Sequence, residues 1–305
     1  MSNAFLKPVG AEIAMPGRST VAVHPAGWVA SSPGGIEVFD RTLSRSLFVA
    51  AFEGCGYSTV SDQLDYAAIS LRDRAQLRRQ DGSVAAEYVH DGWPDWGTGS
   101  AYWDSISETF AFTVPGSVSD EWCFSRGGKV VASVELTDLT AGGSHVSRTS
   151  SGHLGLSMGA GQDGCAVYWV EPGSLGNPVV YDEEVVLDLG RGDVLLTMSH
   201  ESDVLHLRRS VESAPFASIR SDAIDPGIGE YEPFHWVVGA LDRLVVCVGA
   251  DEQAIFVSGM DDLGTWTRLE RPAVLGPDTV LVGGSDGLCV SYDWPSGVVR
   301  PWRLG

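Results

Sequence analysis

The stretch Trp28-Val-Ala-Ser-Ser-Pro-Gly-Gly-Ile-Glu-Val-Phe-Asp40 decides the fold. An apolar strand runs into a tight turn, and a second strand with alternating valine-like residues leaves it. Glycine at the turn supplies the positive backbone angles that a two-residue hairpin needs. Period-2 alternation is the mark of a strand whose two faces meet different surroundings. The unit returns as Leu156-Ser-Met-Gly-Ala-Gly-Gln-Asp-Gly-Cys-Ala-Val-Tyr-Trp169 and as Leu281-Val-Gly-Gly-Ser-Asp-Gly-Leu-Cys-Val-Ser-Tyr292. Weaker copies are Trp122–Val134, Leu195–Leu207 and Val245–Val257, and a degenerate one is Tyr66–Leu77.

The turns of these seven copies fall at Gly35, Arg74, Gly128, Gly164, Asp203, Glu252 and Gly287, a mean spacing of about 42 residues. That lies within the ~40–45 residues of a four-stranded propeller blade, so seven blades nearly use up the 305 residues. Further strands are expected at Thr20–His24, Lys129–Leu136, Asp193–Ser199, Leu244–Gly249 and Thr279–Gly283. No stretch holds a 3.6-residue period for more than about two turns, and Asp73–Gln80 reads as an alternating strand. With 37 glycines and 15 prolines, long helical bundles are poorly compatible with the chain.

These repeats resemble the WD40-like seven-bladed β-propellers over nearly the whole chain. The Gly-His and Trp-Asp marks of true WD40 repeats are not in register: Gly152-His153 occurs once, and Trp103-Asp104 is the only Trp-Asp pair. A second likeness is local. Gly259 to Trp266 is similar to a degenerate Asp-box of sialidase-type propellers, with Asp261, Thr265 and Trp266 in step, Gly259 in place of serine and Leu263 in place of glycine. The resemblance implies that Asp261 caps turn amides and that Trp266 packs between strands. The expected architecture is all-β: a seven-bladed β-propeller of four-stranded antiparallel blades, one domain over 1–305. Closing the ring requires Phe5–Met15 or Thr20–His24 to share a sheet with Val298–Leu304, which removes an exposed edge. Residues 1–17 are then part closing strand or a flexible tail.

Composition bounds the partners. Hydrophobic residues make up 44% of the chain, enough for a core, and 20% are charged. Forty acids stand against 20 bases, a net charge of −20. Such a surface repels nucleic acid and anionic membrane, so neither is expected as a partner. A basic protein or a cationic small molecule fits better, with plain solubility as the other reading. Only Lys7 and Lys129 are lysines, which points to high-GC coding. No apolar run reaches the roughly 18–20 residues of a membrane span, and Met1–Gly17 lacks the features of a signal peptide. A cytoplasmic monomer is expected. Cys55, Cys123, Cys165, Cys247 and Cys289 are odd in number, far apart and without a CxxC pair. They read as buried free thiols, and neither a structural metal nor a cofactor is expected.

Three connections are longer than a blade turn needs. His90–Asp104 holds Trp93, Trp96, Tyr102 and Trp103 among Asp91, Asp95 and Asp104. Aromatic faces with carboxylates suit a cation, a protein anchor or a sugar ring. The same loop could instead fold back as a plug with its indoles in the core. Val211–His235 carries Asp222, Asp225, Glu230, Tyr231 and Glu232 ahead of His235, and reads as an acidic surface loop unless paired carboxylates face each other. Ala141–Ser151 reads as a linker between blades. His200, Glu201 and Asp203 form a polar turn or, less simply, part of a rim metal site. The letter matches Gly155–Gly159 and Gly283–Gly287 to Gly-x-Ser-x-Gly lack the strand-to-helix context of a nucleophile elbow. Arg72, Arg74 and Arg78 fall on one face of a strand, with Arg79 opposite.

The leading functional expectation is a non-enzymatic binding module or scaffold that contacts its partner through Trp93, Asp95, Trp96, Tyr102 and Trp103. The alternative is a propeller enzyme, a cyclase, lyase or hydrolase of small molecules, with His90, Asp91, Asp104, Glu232 and His235 as candidate acids and bases. A carbohydrate-binding propeller is the third, motivated by the ten tryptophans.

Overall fold

A computed structural model describes residues 6–15, 20–53, 57–94, 99–136, 143–149, 152–159, 164–171, 173–175, 177–182, 184–187, 194–225, 233–240, 243–249, 254–259, 262–283 and 287–304. Two short strands, β1 (Leu6–Pro8) and β2 (Ile13–Ala14), come first. Blade I is β3 (Thr20–His24), β4 (Gly27–Ser32), β5 (Gly35–Asp40) and β6 (Ser46–Ala51). Blade II is β7 (Ser58–Val60), β8 (Tyr66–Ser70), β9 (Arg74–Arg79) and β10 (Val84–Val89). Blade III is β11 (Ala101–Asp104), β12 (Thr109–Val114), β13 (Glu121–Arg126) and β14 (Lys129–Glu135). Blade IV is β15 (Gly143–Arg148), β16 (Leu154–Gly159), β17 (Cys165–Val170) and β18 (Val179–Asp182). Blade V is β19 (Glu184–Leu187), β20 (Leu195–Ser199), β21 (Val204–Arg208) and β22 (Ala217–Arg220), followed by the one-turn helix α1 (Ser221–Ile224). Blade VI is β23 (Phe234–Ala240), β24 (Arg243–Val248), β25 (Ala254–Gly259) and β26 (Asp262–Leu269). Blade VII is β27 (Thr279–Gly283), β28 (Leu288–Asp293) and β29 (Val298–Leu304), completed by β1 and β2. The chain is therefore an all-β, seven-bladed propeller of antiparallel sheets with its two terminal strands in one sheet.

All seven recurring units are hairpins, but not equivalent ones. Five span the second and third strands of their blade. Trp122–Val134 spans the third and fourth, and Leu281–Tyr292 the first and second. The glycine signal explains the slip. Arg126 pairs with Lys129 across Gly127 and Gly128, whose φ values of 55° and 78° make the two-residue turn. The corresponding turn of blade III between β12 and β13 uses another device, the Gly116 amide donating to Asp120 Oδ1 at 3.0 Å.

The chain falls into two compact units, one of residues 24–40 and 45–185 and the other of 1–23, 41–44 and 186–305. In the first, Ala67 and Ile69 of β8 enter a core with Ile36, Val38 and Phe48, while Ala68 between them enters another with Phe110 and Phe112. Trp122 and Phe124 of β13 face Leu154, Leu156 and Tyr168 of blade IV. In the second unit, Leu244, Val246 and Val248 of β24 pack on Leu205 and Leu207, while Val245 and Cys247 pack on Leu281 and Cys289. Alternation thus buries both faces of the central strands. The last strands are different: β10, β14 and β18 are mostly exposed, as outer edges must be.

The seam lies within the second unit. β1 pairs with β29 (Leu6 opposite Leu304, Pro8 opposite Trp302), and β2 continues along the same strand (Ile13 opposite Val299). The break between them has a local cause. The Val9 amide donates to the Pro301 carbonyl at 2.9 Å, so Pro301 turns its polar side to this segment and has no N–H to return. The strand Thr20–His24 opens blade I. In the Asp-box-like segment, Trp266 Nε1 donates to the Leu263 carbonyl (2.7 Å) and Ser258 Oγ to the Thr265 carbonyl (2.7 Å), with the indole against the blade V–VI core. Asp261 lies outside the described residues. Cys123, Cys165, Cys247 and Cys289 are buried free thiols, and burial raises the first to about 11, Cys247 to about 11 and Cys289 to about 12. Cys55 is outside the described residues. No helix among the described residues is long and apolar enough to cross a membrane.

Leu6 is buried in the seam, and Leu6→Ala is expected to cost about 2–4 kcal/mol, lowering the melting temperature by several degrees. Differential scanning calorimetry of both proteins reads this directly. The one-domain reading of 1–305 also expects a single transition in each scan.

Candidate functional site

The chain leaves β10 at Val89 and must reach the start of β11. It does so through a turn fastened to the β8–β9 connection of its own blade. The His90 amide donates to the Asp73 carbonyl at 3.0 Å, and the Trp93 amide donates to the Arg72 carbonyl at 2.6 Å. The Gly92 amide donates to His90 Nδ1 at 3.2 Å, which leaves the proton of the neutral imidazole on Nε2. The His90 ring meets the Trp93 indole edge-on, with centroids 5.8 Å apart.

Trp93 is 4% exposed. It is seated against Gly99, where an added Cβ would lie 2.4 Å from Trp93 Cζ2 and 2.7 Å from Ser70 Oγ. Only glycine allows this approach. Trp93 is therefore a packed indole of this turn, not a displayed one. Asp91 stays exposed beside it.

Charge around the turn is paired. Arg74 donates from Nε and Nη2 to the two oxygens of Asp73, at 2.8 and 2.7 Å, and lies 3.5 Å from Glu87. Glu87 also accepts from Gln76 Nε2, Arg78 Nε donates to Gln76 Oε1 (2.9 Å), and Arg78 Nη1 donates to the Ala51 carbonyl (2.9 Å). The hydrogen bonds from Arg74 hold the Asp73 carboxyl below its ordinary range and raise the guanidinium in return. Burial holds His90 below its ordinary value, against the opposing pull of Asp73 and Asp91.

The remaining candidates are placed elsewhere or are not described. Ala101–Asp104 is a strand, not loop, so Asp104 sits at the opposite end of β11, roughly 10 Å along it. There it is 1% exposed. It accepts from the amides of Ile106 and Ser107 (3.3 Å each) and from Ser107 Oγ, and meets Arg148 Nε at 3.4 Å. It joins blades III and IV and does not meet His90 or Asp91. Tyr102, 9% exposed, lies in the core toward blade IV. Trp103 points to blade II, half-buried and edge-on to Tyr66 at 5.3 Å. Asp95, Trp96 and Glu232 lie outside the described residues. His235 lies on β23 near Arg271, Asp278 and the Pro277 carbonyl. Partial burial, then Arg271, holds it below its ordinary value. Asp203 accepts from Ser199 Oγ at 2.9 Å as a turn cap, and no group of three His, Cys, Asp or Glu among the described residues is placed to hold a metal ion.

Four participants carry little local signal of their part. Ser70 lies beneath the turn and the Asp73–Arg74 pair beside it, and their part depends on contacts with residues some 20 positions away. His24 is the fourth. It is buried, its Nδ1 accepts from the Ala26 amide (3.1 Å), and its Nε2 donates to the Ser61 carbonyl (3.1 Å), fastening blade I to blade II. Burial lowers this histidine too. The following Pro25-Ala26-Gly27 turn was the one available signal.

This is the fold of a seven-bladed β-propeller. No protein-family model and no curated protein matches the sequence. Solved structures do match in fold. The β-propeller domain of Myceliophteria thermophila Cps50 (Swd1) superposes with a TM-score of 0.63 at 11% identity, over 98% of this chain and 99% of that one. U3-55K gives 0.62 at 14%, over 98% and 100%. Streptogramin B lyase gives 0.63 at 13%, over 100% of both. At such identities the likeness is one of fold alone, and a fold does not fix a function.

Two outcomes follow. Asp104→Ala leaves Arg148 without its buried partner and is expected to cost about 3–5 kcal/mol in urea unfolding, whereas Asp91→Asn should change stability by less than about 0.5 kcal/mol. The histidines set a pH window. His24 and His90 both have folded values below the unfolded 6.5. Above pH 6.5 neither state takes up a proton. As pH falls below 6.5 the unfolded chain protonates first, so stability drops until the depressed folded values are reached. The urea midpoint should be lower at pH 5.5 than at 7.5, with a smaller change in His24→Gln.

Proposed function

We propose that the chain is a non-enzymatic binding module, a monomeric cytoplasmic scaffold that presents an acidic, tryptophan-rich loop to a protein or a cationic small molecule. The observation that carries this reading is the turn at the end of blade II, where the exposed carboxylates of Asp73 and Asp91 flank His90 above a buried Trp93. A turn fastened by two backbone hydrogen bonds, with acids beside it, suits recognition, because less freedom remains to be lost on binding. Asp91, Asp95 and Trp96 are the proposed contact residues. Trp93 is the buried seat of the turn, whereas Tyr102 and Trp103 face the cores toward blades IV and II and are not proposed as contacts. The net charge of −20 adds long-range attraction for a basic partner. Neither nucleic acid nor membrane is the proposed partner, and no cofactor is required.

One observation favours a second reading. His90 is held neutral, with an exposed carboxylate beside it, and a perturbed imidazole next to an acid is a common feature of catalytic sites. In that reading His90 and Asp91 would act on a small molecule, and Asp104 would have no part in the chemistry.

The test compares wild type with Asp95→Asn/Trp96→Ala by affinity capture from the source lysate at low and high salt. The scaffold reading expects a stoichiometric protein that is lost from the variant at unchanged melting temperature and weakened at high salt, where exposed charges are screened beyond about 10 Å. Parallel loss of binding and stability would assign these residues to the core. A small molecule released on denaturing the wild type, with no protein partner, would favour the second reading.

A further inference from the structure

The connection from blade VI to blade VII shows its residues to solvent from a fastened frame. The Leu275 amide donates to the Pro272 carbonyl at 2.9 Å, and the Thr279 amide donates to the Gly276 carbonyl at 3.2 Å. Arg271 ties the same loop: its Nε donates to the Leu275 carbonyl at 2.8 Å and its Nη2 to the Gly276 carbonyl. Leu275 is buried in the core shared by blades VI and VII. Val274, beside it, is left 54% exposed, and Asp278 at the end of the loop is exposed too.

Trp294 meets this loop from the β28–β29 turn. Its amide donates to the Asp278 carbonyl at 3.5 Å, one step beyond the pairing of Thr279 with Asp293. Residues opposite each other in an antiparallel pair carry their Cβ atoms about 4.5–5.5 Å apart. The indole is 48% exposed, the only exposed tryptophan among the described residues, and its ring centroid lies 5.9 Å from that of the buried Tyr292. Asp278 has no ion pair among the described residues. Arg271 is committed to its two carbonyls. His235 faces both Arg271 and Asp278, and burial, then Arg271, holds it below its ordinary value, so it adds little positive charge at pH 7.

An exposed indole attracts a cation, and a carboxylate beside it supplies the opposite charge. A guanidinium suits both groups at once. It is planar, stacks on aromatic rings and donates in a fork to carboxylate oxygens, whereas an ammonium acts as a point charge. Trp294 and Asp278 lie on exposed surface, so a lone small cation gains little there, while an arginine carried by a protein is held in place by its neighbours. Val274, four residues before Asp278 on the fastened loop, offers apolar surface to those neighbours.

We propose that Trp294 and Asp278 form a second docking surface, which takes an arginine from an exposed basic segment of a partner protein. The guanidinium lies on the indole and donates to the Asp278 carboxylate. This surface belongs to the compact unit that includes residues 186–305, and it does not depend on the contact residues proposed in blade II.

The test is a titration of the full-length, 15N-labelled protein, following the Trp294 indole N–H resonance assigned with Trp294→Phe. The probes are a capped pentapeptide that alternates valine with arginine, the same peptide with citrulline for arginine, and tetramethylammonium. The expected result is a saturable shift with the arginine peptide, with an apparent dissociation constant raised about threefold in Asp278→Asn, the effect of losing one exposed ion pair. Asp91→Asn should leave the titration unchanged. Both substitutions are at exposed side chains, and equal melting temperatures check that the fold is kept. An equal response to the citrulline peptide, a response to tetramethylammonium as strong as that to the arginine peptide, no change in Asp278→Asn, or loss of the response in Asp91→Asn would each overturn the proposal.

Discussion

The structure rests on one constraint: neighbouring residues of a central strand belong to different cores. In β24, Leu244, Val246 and Val248 face blade V while Val245 and Cys247 face blade VII. In β8, Ala67 and Ile69 are parted in the same way from Ala68. A one-residue slip in register would exchange these sets and misfit two interfaces at once. No single blade can satisfy both of its faces, so the stability of each depends on its neighbours. The seam obeys the same rule. Leu6 and Leu304 complete a core shared with Trp236 and Leu281, and the chain tolerates Pro301 in an inner strand because β1 and β2 break where that residue has no donor.

This constraint explains what could be read from the sequence. Strands buried on both faces need apolar residues throughout and tight turns between them, and those hairpins stand out in the chain. Outer strands need neither. β10, Val-Ala-Ala-Glu-Tyr-Val, is mostly exposed and carries no comparable signal. β11 is only four residues long and was hidden in what reads as a tryptophan-rich loop. The repeats also run partly out of phase with the blades, because the most visible glycine turn of blade III follows its third strand and that of blade VII follows its first. Turn chemistry marks hairpins; it does not number them.

The candidate site was legible in composition but not in arrangement. His90, Asp91 and Trp93 do share one turn. Asp104, fourteen residues from His90 in a strongly acidic segment, points to the far end of a strand and meets Arg148 of the next blade. Its role is fixed by a residue that no local pattern connects to it. Trp93 likewise reads as a contact aromatic until Gly99 and Ser70 are seen beneath it. Each reversal has the same physical source. An aromatic or a carboxylate acquires its function from burial, and burial here is decided by the adjoining blade.

Net charge must be weighed in the same way. An excess of 20 acids suggests a surface that selects its partner by sign alone. Around the proposed site, however, Asp73 is held by Arg74, and Glu87 is shared between Arg74 and Gln76. Ion pairs of this kind on a surface add little stability, but they lower the local field and keep the side chains in place. What distinguishes the turn from the rest of an acidic surface is therefore its chemistry at short range: two exposed carboxylates above a seated indole. Charge can bring a partner near this face of blade II. Discrimination between partners would come from the few groups that the fold holds in place there.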